Sequence, residues 1–132
     1  MFKKTLATLV LATSVLGLAA CGANSSKTID VTTTDFKFAP TSWTVAAGKP
    51  VALTLKNTGA VLHEWVLLKK STDVTLPFDA DDEDKVFWEI EAGPGETKTE
   101  TFTAPNEAGT YKVVCGTPAH LEQGMAATLV VK

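Results

Sequence analysis

Tyr111-Lys112-Val113-Val114-Cys115-Gly116-Thr117-Pro118-Ala119-His120-Leu121-Glu122-Gln123-Gly124-Met125 opens as a strand and closes as a loop crowded with soft donor atoms. The alternation from Tyr111 to Cys115 ends a strand, which sets Cys115 at a rigid edge. Gly116 and Pro118 then force one turn, and Gly124 permits a second before Met125 opens the last strand. The chain therefore curls round a point instead of running past it. A thiolate, an imidazole and a thioether on one short loop, joined by one more imidazole from elsewhere, are the ligand types of a mononuclear blue-copper site.

The inventory of the chain closes on that site. There are two histidines, two cysteines and two methionines in 132 residues. His63 is the only other histidine and Met1 the only other methionine, while Cys21 has a separate explanation. A given cysteine would meet His at +5 and Met at +10 by chance only about twice in 10,000, so the pattern is specific. Copper suits the set better than zinc, both on affinity and because a thioether is a soft ligand. The expected metal ligands are His63, Cys115, His120 and Met125, holding one copper per chain. His63 must then lie in a strand that pairs beside the Cys115 strand.

The N-terminus reads as an export signal. Met1-Phe2-Lys3-Lys4 is basic, Thr5 to Ala20 is apolar and uncharged, and Leu18-Ala19-Ala20-Cys21 ends it with small residues before a cysteine. That order marks a secretory leader, and the apolar run falls short of the ~20 residues a membrane span needs. The cysteine after small residues resembles the bacterial lipobox, which implies that Cys21 is acylated and becomes the first mature residue. Two or more acyl chains would anchor the protein stably. Residues 1–20 are thus expected to be a lipoprotein signal peptide, 21–27 a small polar tether, and 28–132 one domain. The expected location is the cell envelope, lipid-anchored and facing the periplasm or the exterior. Gly22 after Cys21 leaves outer-membrane sorting open.

Past the leader the chain carries ten lysines, no arginine and fifteen acids. That balance argues against nucleic acid or an anionic lipid surface as the main partner. An exported compartment is oxidising, so an unpaired thiol such as Cys115 needs a reason, and metal coordination supplies one.

The rest of the chain alternates short β-branched and aromatic runs with turn residues. Strands are expected near Ile29–Thr33, Ser42–Ala46, Val51–Asn57, Leu62–Leu68, Phe87–Ile90, Lys98–Thr103, Tyr111–Cys115 and Ala126–Val131. Gly48-Lys49-Pro50, Asn57-Thr58-Gly59, Gly93-Pro94-Gly95 and Pro105 to Gly109 break them. About eight short strands without helical periodicity predict an all-β sandwich or barrel. Residues 71–85, with Pro77 and the acids from Asp79 to Asp84, are expected to be a solvated loop with one helical turn. Trp43, Trp65 and Trp88 are expected to serve packing.

These residues together resemble the cupredoxins. Gly124-Met125 after His120, with four residues between each pair of loop ligands, looks like the loop of rusticyanin and auracyanin. His63-Glu64-Trp65-Val66-Leu67 is similar to the azurin-type segment bearing the first histidine. Asp35-Phe36-Lys37-Phe38-Ala39-Pro40, Val45-Ala46-Ala47-Gly48 and Leu55-Lys56-Asn57-Thr58-Gly59 resemble the family's opening strands. The resemblance spans residues 28–132. It implies a Greek-key β-sandwich with copper at one end, bound by His63, Cys115 and His120 with Met125 as weak axial ligand. It also implies electron entry through the exposed edge of His120 in an apolar patch, for which Val61, Leu62, Pro118, Ala119 and Leu121 are candidates.

Three positions depart from the family. Glu64 stands where Asn usually follows the first histidine, Gly116 replaces a hydroxyl residue after the cysteine, and Ala119 stands where many members have Gly. Strand alternation points Glu64 away from the His63 face, as a surface carboxylate. Alternatively Glu64 takes the role of the Asn and reaches the backbone N–H groups of Gly116 or Thr117.

One-electron transfer without substrate chemistry is the expected function, between a redox donor and acceptor such as a cytochrome or a membrane redox complex, with the protein a monomer. An enzyme fits less well. A multicopper oxidase needs several more histidine pairs, a binuclear copper centre needs two cysteines on the loop, and Met125 falls where a zinc hydrolase keeps its open position. Copper storage or delivery in the envelope is the alternative, but such sites are Met-rich and this chain offers one methionine.

Overall fold

Residues 27–132 are described in a computed structural model; the leader, Cys21 and all of the tether but Lys27 lie outside the described residues. Nine strands run in chain order: β1 Lys27–Thr34, β2 Lys37–Ala39, β3 Ser42–Val45, β4 Pro50–Asn57, β5 His63–Leu68, β6 Val86–Ala92, β7 Thr97–Thr103, β8 Gly109–Val114 and β9 Ala126–Val131. The eight expected strands are all present, with ends shifted by a few residues. The ninth, β2, is an addition to the expected set, since three residues before a proline carry too little alternation to register.

The strands form two sheets, β2-β1-β4-β7 and β3-β9-β8-β5-β6. Pairs β1/β4 and β3/β9 are parallel and the rest antiparallel, because the chain crosses repeatedly from one sheet to the other in Greek-key fashion. In β4, Val51, Leu53 and Leu55 are fully buried, while Ala52, Thr54 and Lys56 face outward. That alternation is the signature of a strand with one face on the core. Trp65 occupies the middle of the sandwich. Its ring meets Trp43 at 5.7 Å, Trp88 at 6.0 Å and Phe102 at 6.1 Å, edge-on or tilted as aromatic quadrupoles prefer. The three tryptophans are packing, as expected.

β5 is different, since every residue but Glu64 is buried. Trp65 and Leu67 face the main core. Val66 and Leu68, with Val114, form a second cluster on the outer face of the five-stranded sheet, covered by Val74, Phe78, Val86 and Leu121. The 69–85 connection therefore roofs the strand that carries His63, burying it on both faces.

That connection contains the expected helical turn, a 3₁₀ helix over Ala80–Lys85. Asp79 caps it by accepting from Asp81 N–H at 3.0 Å. Not all of the acids are solvated. Asp82 is buried and ion-paired with Lys85 at 2.5 Å, as a buried charge must be. The hydrogen bond from Lys85 holds the Asp82 carboxyl below the usual carboxylate range.

Candidate metal centre

β5 and β8 lie side by side, pairing Val66 with Val114 and Leu67 with Val113. His63 at the start of β5 and Cys115 just past the end of β8 consequently reach the same end of the sandwich. Beyond Cys115 the chain makes two successive turns, with His120 N–H donating to Thr117 C=O at 3.1 Å and Gly124 N–H to Leu121 C=O at 2.9 Å. Met125 N–H returns to His120 C=O at 3.1 Å, and Cys115 N–H donates to Met125 C=O at 3.1 Å. The loop is thus closed on itself by backbone hydrogen bonds. Gly124 takes φ 86° as its turn requires. Ala119 takes φ 69°, a left-handed conformation that costs a residue with a β-carbon about 1–2 kcal/mol. A family glycine there would carry no such cost.

Three donors converge. Cys115 Sγ lies 3.8 Å from His63 Nδ1 and 3.4 Å from His120 Nδ1, and the three ligand atoms fall within 4.8 Å of one another. Bond lengths of about 2.0–2.3 Å in a trigonal arrangement would separate such donors by about 3.6 Å. The two sulfur-to-nitrogen separations lie close to that value, so the cradle suits a metal ion of copper's size. His63 and Cys115 are fully buried and His120 is 5 % exposed. Met125 is also fully buried, as part of the main hydrophobic core.

Burial biases the protonation of these donors before a metal binds. Desolvation pushes the Cys115 thiol upward, partly opposed by the Glu64 N–H that donates to its sulfur at 3.5 Å. Desolvation and then the neighbouring His63 push His120 downward, which favours the neutral imidazole. A metal entering here displaces a thiol proton and gains a neutral imidazole.

The structure decides the departures from the family pattern. Thr117 Oγ1 donates to Leu62 C=O at 2.8 Å, tying the ligand loop to the residue before His63. The tie comes from a hydroxyl one position later than in the family. Glu64 is half-buried, and its carboxylate packs against Gly116, where any β-carbon would collide with it. Its hydrogen bond to the site comes from its backbone N–H, on Cys115, rather than from the carboxylate. Burial, then Glu89 and Glu91, push its carboxyl upward. The apolar patch also shifts. Val61 and Leu62 are exposed, as are Pro118 and Ala119, but Leu121 turns to the cluster under the 69–85 connection. Phe36 takes its place, with its ring edge-on to His120 at 5.0 Å.

Sequence reasoning assigned no role to Asp35, Phe36, Asn57 or Gly59. Asp35 Oδ1 accepts from His63 Nε2–H at 3.2 Å. Asn57 is buried and fastens the His63 loop, donating to Val61 C=O at 2.7 Å and Ala92 C=O at 2.9 Å and accepting from Gly59 N–H at 2.8 Å. The only local signal was that Asp35-Phe36 and Asn57-Thr58-Gly59 sit between strand runs, which marks turns and not ligands' partners.

Fold and site together define a copper-binding β-sandwich of the cupredoxin class. Residues 25–132 match the copper-binding proteins of the plastocyanin/azurin family, and the chain belongs to that family. Among solved structures it is similar to reduced auracyanin from the photosynthetic bacterium Roseiflexus castenholzii, at 29 % identity and a TM-score of 0.71, covering 82 % of this chain and 98 % of that one. Auracyanin A, a blue copper protein from the green thermophilic photosynthetic bacterium Chloroflexus aurantiacus, shows 31 % identity and a TM-score of 0.70, over 82 % and 100 % of the two chains. A rusticyanin variant aligns at 25 % identity and a TM-score of 0.56, over 82 % and 79 %. No curated protein sequence gives a significant match. Copper is the metal of this site.

Proposed function

We propose that this protein is a one-electron carrier, with His63, Cys115 and His120 as the strong ligands, Met125 as the weak axial one, and a lipid on Cys21 as its membrane anchor. The observation that carries the reading is the cradle: two imidazole nitrogens stand 3.4 and 3.8 Å from one buried thiol. Copper bound there would take up and release one electron. β5, β8 and the hydrogen-bonded loop would hold these residues in place in either charge state. A site that changes little between two charges needs little reorganisation, which suits electron transfer. Delivery of the metal would require donors open to exchange, and these are buried.

Electrons would pass at the His120 end, where Val61, Leu62, Pro118 and Ala119 offer an apolar landing surface with Phe36 against the imidazole. A donor and an acceptor would use this end in turn, with the protein a monomer and no substrate bond made or broken. The Cys21 anchor, suggested by the lipobox-like leader, would place it on the outer side of a membrane in the cell envelope.

The test is the visible spectrum of the copper-loaded protein. An intense thiolate-to-copper band is expected, with one copper per chain. Cys115→Ser should abolish the band while the sandwich stays folded, and a serine variant that keeps its colour would end the reading.

A further inference from the structure

β1 and β2 are joined by a turn of two residues, since Thr34 pairs with Lys37. Both residues of that turn touch a histidine of the cradle. Asp35 Oδ1 accepts from Nε2–H of His63 at 3.2 Å and from Ala60 N–H at 3.1 Å, so the carboxylate is fixed to the same loop that delivers His63. Phe36, next in sequence, lays its ring edge-on to His120, with centroids 5.0 Å apart and planes at 74°.

Two features show that the fold accommodates this turn at a cost. Phe36 adopts φ 66°, a left-handed conformation that bulky residues rarely take, although the residue is 38 % exposed and so gains little from burial. Strain kept at a position with little packing to reward it points to a role in the site. Gly59, facing the turn, is the second feature. A β-carbon there would collide with the Asp35 carboxylate and stand 2.7 Å from His63 Nε2. A side chain at 59 would have to push the Asp35–His63 pair aside.

We propose that the Asp35-Phe36 turn is a positioning clamp for both imidazoles, Asp35 holding His63 and Phe36 holding His120. The inference rests on the copper reading above. By accepting the Nε2 proton, Asp35 selects the tautomer whose Nδ1 carries the lone pair, and Nδ1 is the atom that faces Cys115. A carboxylate in this place fixes the ring, raises ligand basicity and adds negative charge on the far side of the imidazole. That charge favours the more positive oxidation state of a bound copper and so lowers the reduction potential. Phe36 stops His120 from rotating about its side-chain bonds into the solvent gap that the turn would otherwise leave. One short turn, 28 residues before His63, thus sets the direction of two ligands on two other segments.

The clamp is tested with Asp35→Ala, Asp35→Asn and Phe36→Gly. Long-range ¹H–¹⁵N spectra of the metal-free protein should show His63 as the Nε2–H tautomer in the wild type and a mixture in Asp35→Ala. Cu(I) affinity, measured against a chromophoric chelator, should fall about 10- to 100-fold in Asp35→Ala, the range typical for loss of a ligand's hydrogen-bond partner. Asp35→Asn keeps an acceptor but drops the charge, so it should bind Cu(I) better than Asp35→Ala and show a higher potential than wild type. Phe36→Gly should be as stable as wild type or more so, because glycine accepts φ 66° freely, yet bind Cu(I) about tenfold more weakly. That split separates positioning from a merely structural role. Unchanged tautomer and affinity in Asp35→Ala, or unchanged affinity in Phe36→Gly, would overturn the clamp. Failure of the wild type to develop a thiolate-to-copper band would instead overturn the copper reading, while the metal-free spectra would still decide what Asp35 does to His63.

Discussion

Replacing Asn57 should cost this protein more stability than any nearby polar change, and the reason lies in one buried amide. Asn57 is 1 % exposed, and its side chain makes three hydrogen bonds, to Val61 C=O, Ala92 C=O and Gly59 N–H. Asn57→Ala removes all three, at about 0.5–1.5 kcal/mol each. The Gly59 and Val61 groups lie near the surface and regain water. Ala92 is fully buried, and leaving its carbonyl without this donor adds part of the roughly 1–3 kcal/mol desolvation penalty. The expected loss is about 3–4 kcal/mol, or a drop in Tm of about 12–20 °C for a domain of this size. Asn57→Asp should be worse. Its second oxygen would face two carbonyl oxygens at the positions where the amide now donates at 2.7 and 2.9 Å. Urea unfolding of the metal-free protein, followed by tryptophan fluorescence, measures both. A loss below about 1 kcal/mol for Asn57→Ala, or an Asp variant as stable as wild type, would refute the role given to this amide.

Ala119→Gly should stabilise the metal-free protein by about 0.5–1 kcal/mol, because it relieves a left-handed backbone at the price of a more flexible unfolded chain; thermal unfolding reads this, and a destabilised variant would contradict it. Gly59→Ala should lower both stability and Cu(I) affinity by forcing Asp35 and His63 apart, whereas equal affinity would show that the loop yields freely. Asp82→Asn should destabilise the protein at neutral pH. Since Lys85 lowers the folded-state pKa of Asp82, the pair's contribution is present above the unfolded carboxyl pKa and fades as pH falls through the folded one, so the variant and wild type should converge in acid. Of the acids from Asp79 to Asp84, only Asp81, Glu83 and Asp84 are free to steer a basic redox partner; converting them to amides should slow electron transfer at low salt and change little at high salt. Equal rates at low ionic strength would reduce the run to a structural cap. Cys21→Ser should move the expressed protein from the detergent phase to the aqueous phase, and a wild type found wholly in the aqueous phase would remove the lipid anchor.

The amino-acid sequence by itself determined the donor inventory and the class of fold. With so few histidines, cysteines and methionines, one loop of fixed spacing exhausts the soft ligands. The β-branched alternation and the Gly/Pro breaks are local patterns that need no tertiary knowledge to read. Local pattern also placed the turns at Gly116-Thr117-Pro118 and at Gly124. It could not say which nitrogen of each histidine faces the sulfur, or that the Asp35 carboxylate would meet His63. It could not show that Glu64 would lie against Gly116, or that Asp82 would be buried among acids that look alike on paper. Each of those depends on strands distant in sequence becoming neighbours. Val66 meets Val114 across the sheet, and β1 lies parallel to β4, so the β1–β2 turn arrives over the loop that follows β4. A hydrogen bond is decided within a few tenths of an ångström, whereas sequence spacing fixes only which residues can reach a region. The ligands were legible because their chemistry is rare, and their supports were not, because an aspartate, a phenylalanine or an asparagine acquires its role only from what the fold sets beside it.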